Sequence, residues 1–364
     1  MKIGIDARFL THPQHGGFKT YTGALVSSLA QVDRENSYII YTDRIPEKPL
    51  GLPANFKVKA VSGEAVFREQ ILLPIAMIGD RVDVAHFLCN TAPVAFGLKM
   101  VLTIHDTIPL RPSKNKSRMN MKQRLLQFYW RKFMVMSARR AALAITNSEY
   151  VRDDIRMTMG LSESSIWLAP MPIDPAFSLS AKGTRPDGVG KQTTYVLAFA
   201  SPDGRKNHEG AIQAYRSAAV DYPNLNLILV CSHPDVRETL ERETNSGTQA
   251  VGPVSTQELV WLFRNASALL FPSFDEGFGL PPLEAMACGT PVVASNAGAL
   301  LELLGGCAIQ VEPTDVSGLA EGLRRVLSNP ELRNNMSRKG LEQVSNFTPE
   351  NMGRQLIKAY EAVM

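Results

Sequence analysis

The stretch that most constrains the fold of this chain is 271–295, FPSFDEGFGLPPLEAMACGTPVVAS. It predicts the end of a strand, a loop, a short helix and the start of another strand. Pro281 and Pro282 fit only the first turn of a helix, where a missing backbone N–H group costs nothing. Gly289 ends that helix, and the next strand follows at once. The loop therefore brings the backbone N–H groups of residues 277–280 to the positive end of a helix, which is a ready site for an anion.

Two carboxylates flank this predicted anion site. Glu276 precedes the loop glycines and Glu284 lies inside the helix, with residues 277–283 between them. A carboxylate repels a phosphate, so the pair makes sense if the ligand also carries neutral hydroxyl groups. We expect Glu276 to meet the hydroxyls of a sugar attached to the phosphate, and Glu284 to accept from a ribose diol. The alternative is an ordinary strand–helix turn with two solvated glutamates.

The complete string is far more specific than its glycines. EGFGLPPLEAMACGTPVVAS resembles the E-x7-E signature of the retaining GT-B glycosyltransferases of the GT4 group, and it is nearly unbroken. The resemblance covers nearly the whole chain and is strongest over 194–295. It implies an α/β GT-B fold, in which two Rossmann-like, doubly wound parallel-sheet domains face each other across a cleft. It also implies transfer of a sugar from a nucleotide diphosphate sugar with the anomeric configuration retained.

The order of predicted elements agrees with two such domains. Apolar, β-branched runs alternate with helical segments throughout the 364 residues, which is enough chain for two α/β domains of ordinary size. A Pro-, Gly-, Ser- and Lys-rich stretch near 171–192 lacks apolar periodicity and is the best boundary. We predict an acceptor-side domain over 1–175 and a nucleotide-sugar-binding domain over 176–345. The last helix, 346–364, is expected to pack back onto the first domain, as is typical of GT-B proteins.

The first predicted domain offers two candidate binding features. A loop after the first strand contains Gly16 and Gly17, although no G-x-G-x-x-G dinucleotide fingerprint occurs in the chain. In the resembling family such a loop lies against the donor diphosphate; otherwise its glycines merely turn the chain. His105 ends the predicted buried strand 100–105, at the sheet edge where ligands gather. An isolated histidine there is usually structural, and the resemblance is what places it near the donor sugar.

The second predicted domain offers a basic pair. Arg205 and Lys206 lie in the loop SPDGRKN after the strand 194–200, at the carboxyl end of that strand, as a phosphate clamp requires. Such residues are most often just solvated, but in this order before Glu276 they resemble the diphosphate-binding pair of the family. Many members carry a further arginine near the position of Ser201, and this chain does not. The turn at 251–254 is where the family reads the nucleotide base, largely through backbone.

The resemblance thus assigns a complete set of site residues. The expected catalytic residues are Glu276, His105 and Lys206. The expected donor-binding residues are Gly16, Gly17, Arg205, Lys206, Val254, Gly277, Phe278, Gly279, Leu280 and Glu284. No D-x-D motif occurs, so we expect neither a metal ion nor any other cofactor.

The net charge of +4 is modest, but its distribution is uneven. No acidic residue occurs between Thr107 and Ser148, whereas a predicted helix at 118–140 carries many basic residues interleaved with aromatic and aliphatic ones. Such a helix can lie on an anionic membrane surface; the alternative is a core helix with one solvated basic face. Nucleic acid is not an expected partner, because no recognised nucleic-acid motif accompanies the charge.

The remaining composition predicts a cytoplasmic protein. Four scattered cysteines without a C-x-x-C pair suggest small buried residues in a reducing compartment. Asp6 and Arg8 interrupt what would be the apolar region of a signal peptide, and no apolar run is long enough to cross a bilayer. We expect a cytoplasmic protein that can be peripheral on the inner face of the cytoplasmic membrane.

The donor and the acceptor are less constrained than the reaction. We expect a UDP-sugar such as UDP-glucose as donor, with GDP-mannose as the second candidate, because base recognition is mostly through backbone. The basic helix suggests a glycan or polyprenyl-diphosphate-linked oligosaccharide as acceptor, in exopolysaccharide, O-antigen or similar envelope synthesis. The same fold would also suit a sugar-nucleotide epimerase or a non-catalytic nucleotide-sugar-binding protein. A phosphorylase is not expected, because no pyridoxal-binding lysine context is present.

Overall fold

The computed structural model describes residues 1–12, 16–111, 121–190, 194–202, 204–243 and 247–364, without the side chains of 121–123, 126, 127, 241 and 243. The chain forms two compact units. The first comprises Met1–Pro172 and Phe347–Met364, and the second comprises Ile173–Asn346. The predicted boundaries after residues 175 and 345 lie three residues and one residue from these.

A parallel seven-stranded sheet is the frame of the first unit. Its strands are β1 (Lys2–Asp6), β2 (Ser37–Thr42), β3 (Phe56–Ala60), β4 (Val84–Phe87), β5 (Met100–Thr103), β6 (Leu143–Thr146) and β7 (Ile166–Leu168). Its helices up to the boundary include α1 (Gly17–Val32), α2 (Ala65–Phe67), α3 (Leu73–Gly79), α4 (Met121–Arg140) and α5 (Glu149–Met159). Every residue of β4, β5 and β6 is buried, as in a parallel sheet covered on both faces.

The second unit contains a parallel six-stranded sheet. Its strands are β8 (Thr194–Phe199), β9 (Leu225–Val230), β10 (Thr248–Val251), β11 (Ala268–Phe271), β12 (Val292–Ser295) and β13 (Ile309–Val311). Its helices include α6 (His208–Ala219), α7 (Pro234–Glu243), α8 (Thr256–Asn265), α9 (Leu280–Ala287), α10 (Leu300–Leu303), α11 (Val316–Ser328) and α12 (Pro330–Val344).

The strand order fixes where each unit can hold a ligand. The first sheet runs β3-β2-β1-β4-β5-β6-β7 and the second runs β10-β9-β8-β11-β12-β13. Each order reverses direction once, between β1 and β4 in one sheet and between β8 and β11 in the other. Loops leaving the two strands at such a point diverge to opposite faces and leave a crevice at the carboxyl edge of the sheet. The chain therefore places the loops after β8 and β11 on either side of one crevice.

The last helix, α13 (Pro349–Ala362), belongs to the first unit, where it packs on α1. The helices approach closely because Gly353 faces Ser28 and Val32. A Cβ atom at residue 353 would lie 2.6 Å from Val32 Cγ2 and 2.8 Å from the Ser28 carbonyl oxygen. Tyr360 near the end of α13 also hydrogen-bonds the fully buried His86 of β4, at 2.8 Å.

Several local expectations differ from the structure. Gly17 is the first residue of α1 and Gly16 caps it, so only Gly16 of the pair lies in the loop. Strand β5 ends at Thr103, so His105 lies in the loop two residues beyond the strand. The basic helix begins at Met121, and residues 118–120 of the predicted span lie outside the described residues. Within the described parts of the chain, no helix combines the length and apolar character needed to cross a membrane.

Candidate active site

The loops after β8 and β11 bring the predicted basic pair and Glu276 together. Lys206 Nζ lies 2.7 Å from Glu276 Oε1, and Arg205 Nη1 lies 3.8 Å from Glu276 Oε2. Glu276 is only 6% exposed, whereas Arg205 and Lys206 are partly exposed. Lys206 Nζ also lies 4.6 Å from the ring centroid of Phe271, the last residue of β11. One buried carboxylate thus orients two cations at the crevice where the strand order reverses.

Asn207 holds the surrounding loops in place, and it was not among the predicted site residues. Its Nδ2 group donates to the carbonyls of Pro272, at 3.0 Å, and Pro313, at 2.8 Å, while its Oδ1 accepts from the Gly210 N–H at the start of α6. It therefore bridges the loops that follow β8, β11 and β13. The backbone N–H of Phe274 reinforces this by donating to the Arg205 carbonyl at 2.9 Å. An asparagine before a helix predicts an N-cap, but nothing in the sequence predicts its hydrogen bonds to the two distant carbonyls.

Helix α9 begins as the sequence predicts, with prolines in its first turn and the C-terminal Gly289 at φ 78°. Gly279 precedes the helix at φ 93°, and no side chain among the described residues caps its first N–H groups. Phe278 is buried beside these glycines. Gly298 packs against this loop and has a φ of 61°. A Cβ atom at residue 298 would lie 2.5 Å from the Glu276 carbonyl oxygen. The loop conformation that presents residues 277–280 therefore requires a glycine at residue 298, which lies outside the loop itself.

Glu284 lies within α9 and is 9% exposed. Burial raises the pKa of this carboxyl to about 8, and nearby Asp174 adds to the rise while Lys206 opposes it. The group is therefore mostly protonated at neutral pH in the unliganded protein. A protonated carboxyl can both donate and accept a hydrogen bond, which suits recognition of a diol.

Val254 follows β10, whereas the other predicted residues of this unit follow β8 and β11. It is partly buried between β10 and α8, and β10 lies two strands away from β8 in the sheet. Its loop is fixed by Gly252, whose carbonyl accepts from the Arg237 guanidinium. Ser255 and Glu258 form a capping box that starts α8.

The predicted site residues of the first unit are Gly16, Gly17 and His105, and they are described apart from those of the second unit. The ring of His105 lies edge-on to Phe18 and Tyr21 of α1, with centroid distances of 5.0 and 4.5 Å. Its Nε2 atom lies 2.7 Å from the Leu88 carbonyl. Burial lowers the pKa of His105 to about 4, although the Leu88 carbonyl acts in the opposite direction. The imidazole is therefore neutral at physiological pH.

Two models of glycosyltransferase families match the sequence of this chain, one in each unit. The family model "Glycosyl transferases group 1" matches residues 185–343, and "Glycosyltransferase Family 4" matches residues 16–177. The chain belongs to the family 4, group 1 glycosyltransferases. This confirms the resemblance seen in the E-x7-E string.

Among relatives of this glycosyltransferase, O-antigen chain mannosyltransferase B of Escherichia coli is 34% identical over 46% of this chain and 45% of its own length. O-antigen chain mannosyltransferase RfbU of Salmonella typhimurium is 27% identical over 68% of this chain and 70% of its own length. The match to the first relative thus spans less than half of that protein.

Sucrose-phosphate synthase from Thermosynechococcus elongatus has a similar structure, with a TM-score of 0.75 and 18% sequence identity over 100% of this chain and 98% of that one. At this identity the likeness concerns the fold alone. Together with the two parallel-sheet α/β units it confirms the predicted GT-B fold.

The raised pKa of Glu284 predicts how stability changes with pH. Between pH 4.5 and about 8 the folded protein keeps the Glu284 proton that the unfolded chain loses. The resulting stability is complete below pH 4.5 and is lost as the pH rises through about 8. Relative to Glu284→Gln, the wild type should lose about 1.4 kcal/mol of unfolding free energy per pH unit in this window. Urea denaturation without nucleotide measures the unfolding free energy of both proteins at each pH. If the two free energies changed with pH in parallel, Glu284 would ionise normally in the folded protein.

Proposed function

We propose that this glycosyltransferase transfers a mannosyl residue from GDP-mannose to a glycan or polyprenyl-diphosphate-linked acceptor during synthesis of an envelope polysaccharide. The observation that carries the chemistry is the contact of Lys206 and Arg205 with the buried Glu276 at the carboxyl edge of the second sheet. The donor assignment follows the relatives, whose names specify mannosyl transfer to O-antigen chains. The expectation of UDP-glucose has no support from them, so GDP-mannose, the second candidate, replaces it.

In the proposed reaction the diphosphate lies against the two cations and the amides of residues 277–280 at the start of α9. Charge grows on the diphosphate as the bond from its oxygen to the anomeric carbon breaks, and preorganised donors stabilise that charge without reorganisation. Lys206 and Arg205 are already oriented for this by Glu276. Because fixed cations and amides supply the positive field, and no D-x-D motif is present, we propose that no metal ion is required.

The carboxylates and the histidine then act on the sugar and the ribose. Glu276 accepts hydrogen bonds from sugar hydroxyls, Glu284 binds the ribose diol, and His105 contacts the sugar or the acceptor. Gly16 and Gly17 allow the chain to approach the diphosphate, and Val254 lies at the base. The acceptor hydroxyl attacks from the face that the diphosphate leaves, and a phosphate oxygen takes its proton, so the anomeric configuration is retained.

Two substitutions test the site, and the choice of donor tests the assignment. Lys206→Ala and Glu276→Ala should each lower kcat/KM by about 100-fold or more, because each removes a group that acts on developing charge or on the sugar. Lys339→Ala, at an exposed lysine of α12, is the control and should have wild-type activity. Activity is measured as release of GDP from GDP-mannose, or of UDP from UDP-glucose, with a polyprenyl-diphosphate-linked oligosaccharide as acceptor. Each assay is run with and without EDTA.

Three outcomes would contradict the proposal. Near-normal rates in both variants would exclude the assigned site. Equal or faster turnover with UDP-glucose would exclude the mannose donor. Loss of activity in EDTA, restored by Mg2+, would exclude the metal-independent reaction.

We further propose that α4 places the enzyme on the inner face of the cytoplasmic membrane. Leu125 and Phe128 are 63% and 64% exposed on this helix, and Met136 continues the same stripe. Exposed basic residues lie on the same face and at its edges, Lys132 and Arg139 among the apolar side chains and Arg124 and Arg140 beside them. Buried residues hold the opposite side, where Met134 and Ala138 are 0% and 2% exposed and the Ser137 hydroxyl donates to the Ala92 carbonyl at 2.8 Å. An apolar stripe with basic neighbours matches the boundary between acyl chains and anionic headgroups.

Removing the apolar stripe should weaken binding to anionic vesicles. The double substitution Leu125→Ser with Phe128→Ser deletes two side chains whose burial is worth about 1.5–3 kcal/mol each, so vesicle binding should fall by at least about 10-fold. Val220→Ser, at a position 79% exposed in the second unit, is the matched control. Vesicle flotation at low and high salt measures both variants. Unchanged binding of the double variant would show that α4 does not contact the bilayer.

A further inference from the structure

The reversal point of the first sheet carries a buried cluster of charged residues that the proposed reaction does not use. Asp6 ends β1 and is 1% exposed. Arg68 and Glu69 come from the π-helical turn between α2 and α3, and each is 2% exposed. Arg8 joins them from the 3₁₀ turn that follows β1, and we call these four residues the Asp6 cluster. Buried ion pairs contribute little net stability, so the cluster calls for a second reason.

The Asp6 cluster joins the two loops that diverge at this reversal point. Arg8, in the loop after β1, donates through Nη2 to Glu69 Oε2 at 2.8 Å. Thr91, in the loop after β4, donates to the same oxygen at 2.8 Å. Loops that leave neighbouring strands at such a point bound the crevice in which parallel sheets bind their ligands. The cluster therefore lies at the point of the first sheet that corresponds to the place of Lys206 and Glu276 in the second.

The carboxylates of the Asp6 cluster have almost no capacity left for a ligand. Besides its two bonds at Oε2, Glu69 accepts at Oε1 from the Tyr129 hydroxyl, at 2.6 Å, and from Gln70 Nε2, at 3.0 Å. Asp6 accepts three hydrogen bonds from the two arginines of the cluster. A carboxylate offers about four acceptor positions in all. The carboxylates therefore orient the arginines, and a ligand must be recognised by another group.

Arg8 is the member of the cluster that has donors to spare. Its Nε and Nη2 groups bond Asp6 and Glu69, with Nε at 2.8 Å from Asp6 Oδ2. The N–H groups on its Nη1 atom donate to none of the described residues. The side chain of Arg8 is 16% exposed, whereas that of Arg68 is 2% exposed. The two carboxylates thus fix the guanidinium while its Nη1 group remains available to a ligand.

The charge of the cluster indicates which kind of ligand atom Nη1 contacts. Its two arginines and two carboxylates give no formal net charge, so the cluster attracts an anion only weakly. The second unit differs, since Arg205 and Lys206 share the single carboxylate of Glu276 there. Nη1 only donates hydrogen bonds, and a hydroxyl oxygen is a neutral acceptor with lone pairs for it. The cluster therefore suits a hydroxyl group of a sugar better than a phosphate.

We propose that Arg8 binds the acceptor glycan, with its Nη1 group donating to a hydroxyl oxygen of the sugar, and that Asp6 and Glu69 are positioning residues that orient it. The proposal deepens the proposed function, on which it rests for a glycan as acceptor. The cations and amides assigned to the diphosphate belong to the second unit, which leaves the crevice of the first sheet for the acceptor. A guanidinium that is already oriented loses little freedom when the ligand binds.

Arg8→Lys tests the contact. A lysine ammonium can bond both carboxylates but lacks the Nη1 group. The KM for a polyprenyl-diphosphate-linked oligosaccharide should rise by about 10–100-fold, which corresponds to the loss of a hydrogen bond from a charged donor. The KM for GDP-mannose should stay within about twofold, because only acceptor binding is weakened. An unchanged KM for the acceptor in the folded variant would overturn the proposal.

Arg68→Lys is the matched control, because Arg68 bonds the Asp6 carboxylate at 3.0 Å but is too deeply buried to meet a ligand. It should lower the melting temperature and leave the KM for the acceptor unchanged. An equal rise of this KM in both variants would show that the cluster acts only through the stability of the fold. A rise for Arg8→Lys that vanishes at high salt would show that Nη1 meets a phosphate instead of a hydroxyl. Either result would overturn the proposal.

The wild-type protein provides a test that depends on no substitution. Hydrogen–deuterium exchange is measured by mass spectrometry on the protein with GDP, before and after addition of the same oligosaccharide acceptor. The acceptor should slow exchange in the loops after β1 and β4, at residues 7–11 and 88–92. No change there would overturn the proposal, also if Arg8→Lys failed to fold. Failure of the wild type to turn over GDP-mannose would contradict the proposed function instead, and it would leave the exchange result valid.

Discussion

The ion pair between Lys206 and Glu276 is the contact on which the second unit is organised. Burying a carboxylate beside a cation removes both from water, and this desolvation can exceed the attraction between them. The structure nevertheless keeps Glu276 almost fully buried, with Lys206 at 2.7 Å and over the Phe271 ring. Such a pair is weak evidence for stability. In the proposed reaction it is a preorganised site, in which two cations are held in place until a diphosphate binds to them.

The surrounding residues keep this arrangement rigid. Asn207 bridges three loops that come from widely separated parts of the chain, and Gly298 lets a fourth segment pass directly beneath Glu276. Packing and backbone hydrogen bonds of this kind hold catalytic groups within the narrow geometric limits that electrostatic catalysis requires. The first unit shows the same principle, since the ring of His105 is fixed by Leu88, Asn90 and two aromatic side chains.

The sequence predicted those parts of the site that depend on local signals. Prolines and glycines placed α9 correctly, and strand–helix alternation placed Arg205, Lys206 and Glu276 at carboxyl ends of strands. What it could not predict depends on residues distant in the chain. The bridging role of Asn207 needs the carbonyls of Pro272 and Pro313. The position of the His105 ring needs the Leu88 carbonyl. The raised pKa of Glu284 likewise follows from burial, which periodicity alone does not quantify.

The central claim is that Glu276 binds the sugar and orients the cations, whereas the cations bind the diphosphate. Calorimetric titration of GDP into the wild type and Glu276→Gln tests this directly, with turnover measured on the same preparations. The account predicts that Glu276→Gln binds GDP at least as tightly as the wild type, because no carboxylate competes for Arg205 and Lys206, while turnover falls by about 100-fold or more. A loss of GDP affinity in proportion to the loss of turnover would contradict the account, since it would make Glu276 a support of the diphosphate site alone.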